Sequence, residues 1–312
     1  MTTLITGATG FAGGHLVERL LERAPLVGWH RPGKPAPTSP DGVLWQAVDV
    51  LDRDGVEGAL EESRPERIYH VAGAPRVDTA WQDVVPHLRT NVLGTHHLLD
   101  AIRRLGLPSR VVVVSSALVY QPGDQPLNEA AALVPASPYG VSKLAQDQLA
   151  LRAFQDDRMD VVVARPFNHI GPRQAPIFSV PSFARQIALI EAGRADPTIR
   201  VGNLETSRDL SDVRDVVEAY ERLMTGGAAG RVYNICSGRA VRIGDVLEQL
   251  VALAREPVSV VVDQARLRPE DTPVVVGSAD RIRAELGWSP RRHLAETLHD
   301  TLEWWRAEIR SP

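Results

Sequence analysis

The chain has 312 residues, 44% hydrophobic and 24% charged, a globular composition that excludes a disordered or fibrous protein. Its 35 basic and 39 acidic residues are interspersed and leave a net charge of −4, which argues against nucleic acid as a partner. Cys236 is the only cysteine, so neither an internal disulfide nor a cysteine-based zinc site can form, and a reducing, cytoplasmic setting is expected.

The N-terminus enters a strand pattern at Leu4-Ile5 with no charged leader or cleavage site. The pattern then predicts a helix over 12–23, strands over 25–29 and 43–48, a helix over 56–63 and a strand over 68–71. A long helix is expected over 81–105, then a fully apolar strand over 111–114, a helix over 138–154 and a strand over 161–164. No apolar run approaches the roughly 18–20 residues a bilayer requires, so no membrane partner is expected. Continuously apolar strands alternating with helices imply a parallel sheet covered on both faces. The fold class is α/β, a doubly wound (Rossmann) parallel sheet with a smaller C-terminal α/β substrate-binding domain.

Residues 170–207 are rich in Pro, Gly and Arg around one helix at 181–192. A helix over 212–224 and a strand over 231–235 are placed to rejoin the sheet. Beyond them come a helix over 243–255, a strand over 258–262, a loop over 264–278 and helices over 279–286 and 294–309. The expected division is 1–168, with 209–236 returning to it, for the cofactor domain, and 169–208 with 237–312 for the substrate domain.

Thr6-Gly7-Ala8-Thr9-Gly10-Phe11-Ala12-Gly13 lies between the first strand and the first helix. Gly7 permits the tight turn, Gly10 the approach of a pyrophosphate and Gly13 close helix–sheet packing, with Thr9, Phe11 and Ala12 beside the phosphates. About 20 residues on, an acid would select the ribose hydroxyls of NAD. No acid occurs over 26–34; Arg31 and Lys34 offer positive charge for a 2′-phosphate. NADP(H) is therefore favoured, with NAD(H) possible. Asp49 and Val50 are placed to meet the adenine edge.

Tyr139 and Lys143 stand four apart, on one face of a helix. A nearby ammonium lowers a phenol pKa from about 10, giving a proton donor or acceptor for a carbonyl/alcohol pair. Only two of the basic residues are lysines, Lys34 and Lys143, so a lysine is kept here in a chain that prefers arginine. Pro138 puts the pair at the helix N-terminus. The strand over 111–114 delivers Ser115-Ser116 to the ligand edge of the sheet, where a hydroxyl can orient a carbonyl oxygen.

These residues resemble the extended short-chain dehydrogenase/reductases that act on nucleotide sugars, over nearly the whole chain. The resemblance rests on the turn at 7–13, His70-Val71-Ala72-Gly73, Asn91 with Gly94-Thr95, the run from Ser115 to Tyr120, Tyr139 with Lys143, and the run from Arg165 to Pro172. It implies Ser116, Tyr139 and Lys143 as the catalytic triad. It places Val71, Ala72, Gly73, Asn91 and Ser115 near the cofactor, Pro166 and Phe167 beside the nicotinamide, and Asn168 on the sugar diphosphate. The 70–74 segment departs slightly from the family pattern.

Dehydratases of that family carry an acid just after the catalytic hydroxyl residue, where this chain has Ala117 and Leu118. The stretch 202–215, the run from Arg165 to Gly171, and Arg268-Pro269-Glu270-Asp271 with Gly277 are similar to the GDP-mannose branch. There Arg208 would pair with phosphate by bidentate bonding, while Arg268 and Glu270 would hold the nucleotide. Arg185 and, in the sugar-lining segment 74–81, Arg76 complete the substrate-side candidates. His169 serves either as a structural histidine or as a substrate contact. No metal is expected. The resemblance implies an NADPH-dependent reductase taking GDP-4-keto-6-deoxy-D-mannose to GDP-D-rhamnose. The alternatives are an NAD-dependent nucleotide-sugar 4-epimerase and, further off, a 4,6-dehydratase or a non-catalytic regulator. It also implies a homodimer paired through the helices at 81–105 and 138–154.

Overall fold

The computed structural model describes residues 1–23, 25–33, 35–36, 41–123, 125–267 and 272–310, with Val77 and Asp78 described by their backbone only. In chain order the first half comprises β1 (Thr3–Thr6), α1 (Phe11–Leu20), β2 (Leu26–His30), β3 (Val43–Ala47), α2 (Arg53–Ser63), β4 (Arg67–His70), α3 (Val77–Gln82), α4 (Val85–His87), a π-helical segment (Leu88–Leu93), α5 (Gly94–Arg104), β5 (Arg110–Val114), α6 (Pro138–Asp157) and β6 (Val161–Pro166). The second half comprises β7 (Asn168–Ile170), α7 (Ser179–Glu191), β8 (Thr198–Val201), β9 (Ser207–Asp212), α8 (Val213–Gly226), β10 (Val232–Ile235), β11 (Ala240–Arg242), α9 (Ile243–Ala252), β12 (Ser259–Val262), β13 (Val274–Val275), α10 (Asp280–Leu286) and α11 (Leu294–Arg310).

Seven parallel strands form the main sheet in the order β3-β2-β1-β4-β5-β6-β10. Strand alternation sorts its side chains between two cores. Ile5, Val112 and Val162 pack with Leu16, Val216 and Leu223 of α1 and α8. Leu4, Val111 and Val163 pack with Leu60, Leu98 and Ile102 of α2 and α5 on the other face. Burial on both faces is why these strands read as unbroken apolar runs. The order reverses between β1 and β4, which opens a crevice at the carboxyl ends of the strands.

The helix expected over 81–105 is broken. Asp83 ends α3 in an extended conformation (φ −149°, ψ 107°), and its side chain accepts from the Val85 backbone at 3.0 Å. Pro86, which lacks an N–H, sits in the first turn of α4, where none is required. The π-helical segment that follows contains the buried Asn91.

The smaller lobe is built on β9, which pairs with β7 and β13 in parallel and with β11 antiparallel, while β8 pairs with β12. Its core joins Phe183 and Ile187 of α7, Leu247 and Leu250 of α9, and Leu298 and Leu302 of α11. The sequence pattern marks no strand at β7, β8, β9 or β11, and β13 falls within the stretch 264–278 that it reads as loop. These strands have two to six residues, and β9 reads Ser-Arg-Asp-Leu-Ser-Asp, with no apolar alternation. Among the described residues no helix is long and apolar enough to cross a membrane.

Candidate active site

A cleft of about 500 Å³ lies at the carboxyl ends of the sheet strands. Its floor is the glycine-rich turn. Gly7 has φ +66°, and a Cβ there would lie 2.8 Å from the Ala72 backbone. A Cβ on Gly13 would lie 2.2 Å from Gly7 O, so the helix can sit this close only with glycine there. Gly10, at the N-cap of α1, leaves that helix end without a side-chain cap, and the first-turn N–H groups suit an anion. Thr9, Phe11, Ala12, Val71, Ala72, Gly73, Ser115, Pro166 and Phe167 line the same cleft, as do Arg31, Asp49 and Val50 at its far end. Arg31 is exposed there and no carboxylate occurs over 26–33. Asp49 Oδ1 accepts from the Leu51 backbone at 2.9 Å. This side-chain-free cradle, uncapped helix end and terminal guanidinium fit a dinucleotide with an extra phosphate. Lys34 lies outside the described residues.

Ser116, Tyr139 and Lys143 meet in the cleft. Ser116 follows β5, and its Oγ accepts from Leu118 N at 3.2 Å, capping a short 3₁₀ turn over Ala117–Val119. Ser137 caps α6 by accepting from Gly140 N at 3.1 Å, and Pro138 opens the helix, which puts Tyr139 in the first turn. Lys143, one turn on, donates from Nζ to Val114 O at 2.9 Å and to Gln146 Oε1 at 2.8 Å. Burial pushes the Tyr139 phenol up to about 12, with the Ser116 hydroxyl pulling it back. Burial also pushes Lys143 down to about 8, with Asp147 opposing. The expected lowering of Tyr139 by Lys143 is therefore corrected: burial dominates and pushes the phenol up, which favours its protonated form. The site is set up to donate a proton.

Asn91 is fully buried and does not line the cleft. It braces the site from behind: Oδ1 accepts from Ala74 N at 2.9 Å, and Nδ2 donates to Ser142 Oγ at 2.9 Å, which in turn donates to Tyr139 O at 2.7 Å. Asn168, the first residue of β7, lines the cleft. Three of the expected substrate arginines are not among the lining residues. Arg76 sits at the N-cap of α3, with its carbonyl accepting from His87 Nε2 at 2.8 Å. Arg185, on α7, has its guanidinium 5.9 Å from the Trp305 ring. Arg208 donates to Ser207 O at 2.9 Å and Thr272 O at 2.8 Å. Arg268 and Glu270 lie outside the described residues.

The cleft also contains residues that the pattern did not single out, notably Thr90, Gln174, Phe178 and Tyr220. Tyr220 packs on the core face of α8 and its hydroxyl is buried without a hydrogen-bond partner among the described residues. Helical periodicity places such a tyrosine in a core and says nothing of a cleft. His169 stacks on Phe11, with ring centroids 5.7 Å apart, and its Nδ1 bonds Phe167 O at 3.1 Å. Burial lowers its pKa, leaving a neutral imidazole.

The profile of the family described as GDP-mannose 4,6 dehydratase matches residues 4–301. The chain belongs to that family. The GDP-6-deoxy-D-mannose reductase of Pseudomonas aeruginosa is 36% identical over 98% of this chain and 97% of its own length. The solved structure of RMD from Pseudomonas aeruginosa complexed with NADPH matches with a TM-score of 0.86 at 35% identity, covering 98% of this chain and 99% of that one. A UDP-glucose 4-epimerase from Thermus thermophilus complexed with NAD matches with a TM-score of 0.87 at 29% identity, over 98% and 99% of the two chains. The GDP-mannose 4,6-dehydratase family thus supplies an enzyme of the extended short-chain dehydrogenase/reductase type. This member has no acid in the two positions after Ser116, where Ala117 and Leu118 line the cleft instead.

Proposed function

We propose that the protein is an NADPH-dependent reductase of a nucleotide-linked 4-keto-6-deoxy sugar, GDP-4-keto-6-deoxy-D-mannose, with GDP-D-rhamnose as product. The observation that carries this reading is the cleft that joins Ser116, Tyr139 and Lys143 with Ala117 and Leu118. A dehydratase has to remove a carbon-bound proton and expel water, which calls for further acid–base groups. A ketone reductase needs one proton donor, and a protonated Tyr139 meets that need. Similarity to the Pseudomonas aeruginosa reductase supports the same choice.

NADPH, when bound, supplies the hydride. The turn at 7–13 and the α1 N-terminus would hold its pyrophosphate, Arg31 its 2′-phosphate, and Pro166 and Phe167 would flank the nicotinamide. Ser116 donates a hydrogen bond to the ketone oxygen and orients it. Tyr139 gives its hydroxyl proton to that oxygen as the alcohol forms. The Lys143 ammonium stabilises the phenolate left behind and would hold the cofactor ribose. Asn168, where β7 enters the smaller lobe, contacts the sugar diphosphate. The cofactor lobe would comprise 1–167 with α8 and β10 returning to it, while β7 and β9, expected partly within it, fall to the smaller lobe on the substrate side.

A second reading, a 4-epimerase with tightly held NAD, draws support from the likeness to the Thermus thermophilus enzyme and uses the same triad. The deciding experiment is the cofactor content of purified protein, followed by an assay of NADPH oxidation with GDP-4-keto-6-deoxy-D-mannose. The reductase reading expects empty protein that binds NADPH at least about tenfold better than NADH, by one charge-assisted contact at Arg31, and turns over the keto sugar. Stoichiometric NAD carried through purification would overturn it in favour of the epimerase. The reading includes a cytoplasmic homodimer. Its single cysteine, buried Cys236, accords with a reducing compartment, and apolar side chains exposed on α3, α4 and α6 accord with a partner copy.

A further inference from the structure

Behind Lys143 runs a chain of buried hydrogen bonds that the reaction alone does not call for. Gln146, fully buried on α6, accepts from Lys143 Nζ and donates from Nε2 to Thr95 Oγ1 at 2.8 Å. Thr95 commits its one hydroxyl proton to Asn91 O at 2.7 Å. The contact between His70 Nε2 and Thr95 Oγ1, 2.8 Å long, must then be donated by the imidazole. His70 Nδ1 is left as an acceptor, and Thr6 Oγ1 donates to it at 2.9 Å while accepting from Ala72 N at 3.1 Å. Every proton in the chain has one place, and the imidazole is neutral. Burial, with Lys143 adding to it, holds His70 at about 3.

We propose that Gln146 is a positioning residue that fixes the Lys143 side chain and favours its ammonium form. The inference rests on the reading of Lys143 as the partner of Tyr139. An ammonium has three N–H groups. Val114 O and Gln146 Oε1 take two of them, which leaves one for the cleft. The amide cannot turn round, because its Nε2 is committed to Thr95. Gln146 therefore presents an acceptor to Lys143, which favours the charged amine. The other charged or titratable groups around Lys143 are few. Asp147 on α6 supports the charge, Arg165 of β6 draws Asp147 away through a 2.7 Å bond, and His70 of β4 is neutral. Tyr139 on α6 is protonated, with His87 of α4 edge-on to its ring at 6.4 Å.

The sequence makes a direct test available. With two lysines in the chain, carbon-13 labelling of lysine gives two side-chain resonances, and Lys34→Arg leaves Lys143 alone. Gln146→Glu puts a carboxylate beside the ammonium and is expected to raise the Lys143 titration midpoint by about one pH unit. Gln146→Leu removes the acceptor and is expected to lower it by about as much, with Gln146→Met as the closer shape if Leu fails to fold. The high-pH limb of kcat should move in the same two directions, since activity is lost as Lys143 deprotonates. Midpoints that stay put, or move together, in variants that melt normally overturn the proposal. The resonance reports on Lys143 whatever the substrate is. Split midpoints without keto-sugar reduction support the positioning role and reject the reductase reading. Unmoved midpoints with full reduction do the opposite.

Discussion

In the proposed reaction Tyr139 acts as an acid, because desolvation pushes its phenol up to about 12 against the pull of Ser116. Tyr139→Phe keeps the ring and deletes the proton. The expected loss in kcat is about 10²- to 10⁴-fold, the range of a single general acid. NADPH affinity, carried by many other groups, should change by less than about tenfold, the worth of one hydrogen bond. Steady-state rates and NADPH fluorescence titration check both. A non-catalytic protein would show no rate to lose. The pair Tyr139 and Lys143 was legible from spacing, since four residues on a helix share a face. Gln146 was not: its role depends on Thr95, a helix away, and on which acceptor the Thr95 proton takes. Nor was the bond from Arg208 to the carbonyl of Thr272, which lies 64 positions on.

At the scale of elements, the first turn of α6 holds Tyr139, the proposed proton donor, and its cap is a single hydroxyl. Ser137 Oγ accepts from Gly140 N at 3.1 Å. Ser137→Ala removes that cap and is expected to cost about 1 kcal/mol of stability. Because Tyr139 lies two residues past the cap, the fraying should also lower kcat several-fold, with KM for NADPH nearly unchanged. Urea unfolding and kinetics on one preparation would show it. A stability loss with full kcat would mean that Pro138 and packing hold the turn by themselves. The strands of the main sheet were legible because burial on both faces leaves apolar runs. The polar β9 was not. Its buried Asp209 is satisfied by backbone N–H groups of Ser237, Gly238 and Gly277, all from loops distant in sequence. The π-helical segment was hidden for a similar reason, because one extra residue per turn does not alter composition.

For the molecule as a whole, the open question is what covers one side of it. Trp81 on α3 is 60% exposed and Val85 on α4 is 55% exposed, with Leu88 and Leu93 of the π-helical segment and Val141 of α6 also exposed. Their elements pack on one another. Lone exposed apolar residues are ordinary, but several together on adjoining helices mark an association surface. A second copy of this chain, related by a twofold axis, would set the same patch against itself. The expected mass by light scattering is therefore twice the 34.1 kDa of one chain. Val85→Glu combined with Leu88→Glu puts two like charges into each half of a self-facing patch, and so four into the interface. Both side chains are exposed in the single chain, so the change should leave its fold close to intact. The variant should elute at the mass of one chain with an unaltered circular dichroism spectrum. A wild-type protein of single-chain mass at micromolar concentration would show instead that the patch has no partner copy, and that α6 presents its catalytic turn without one.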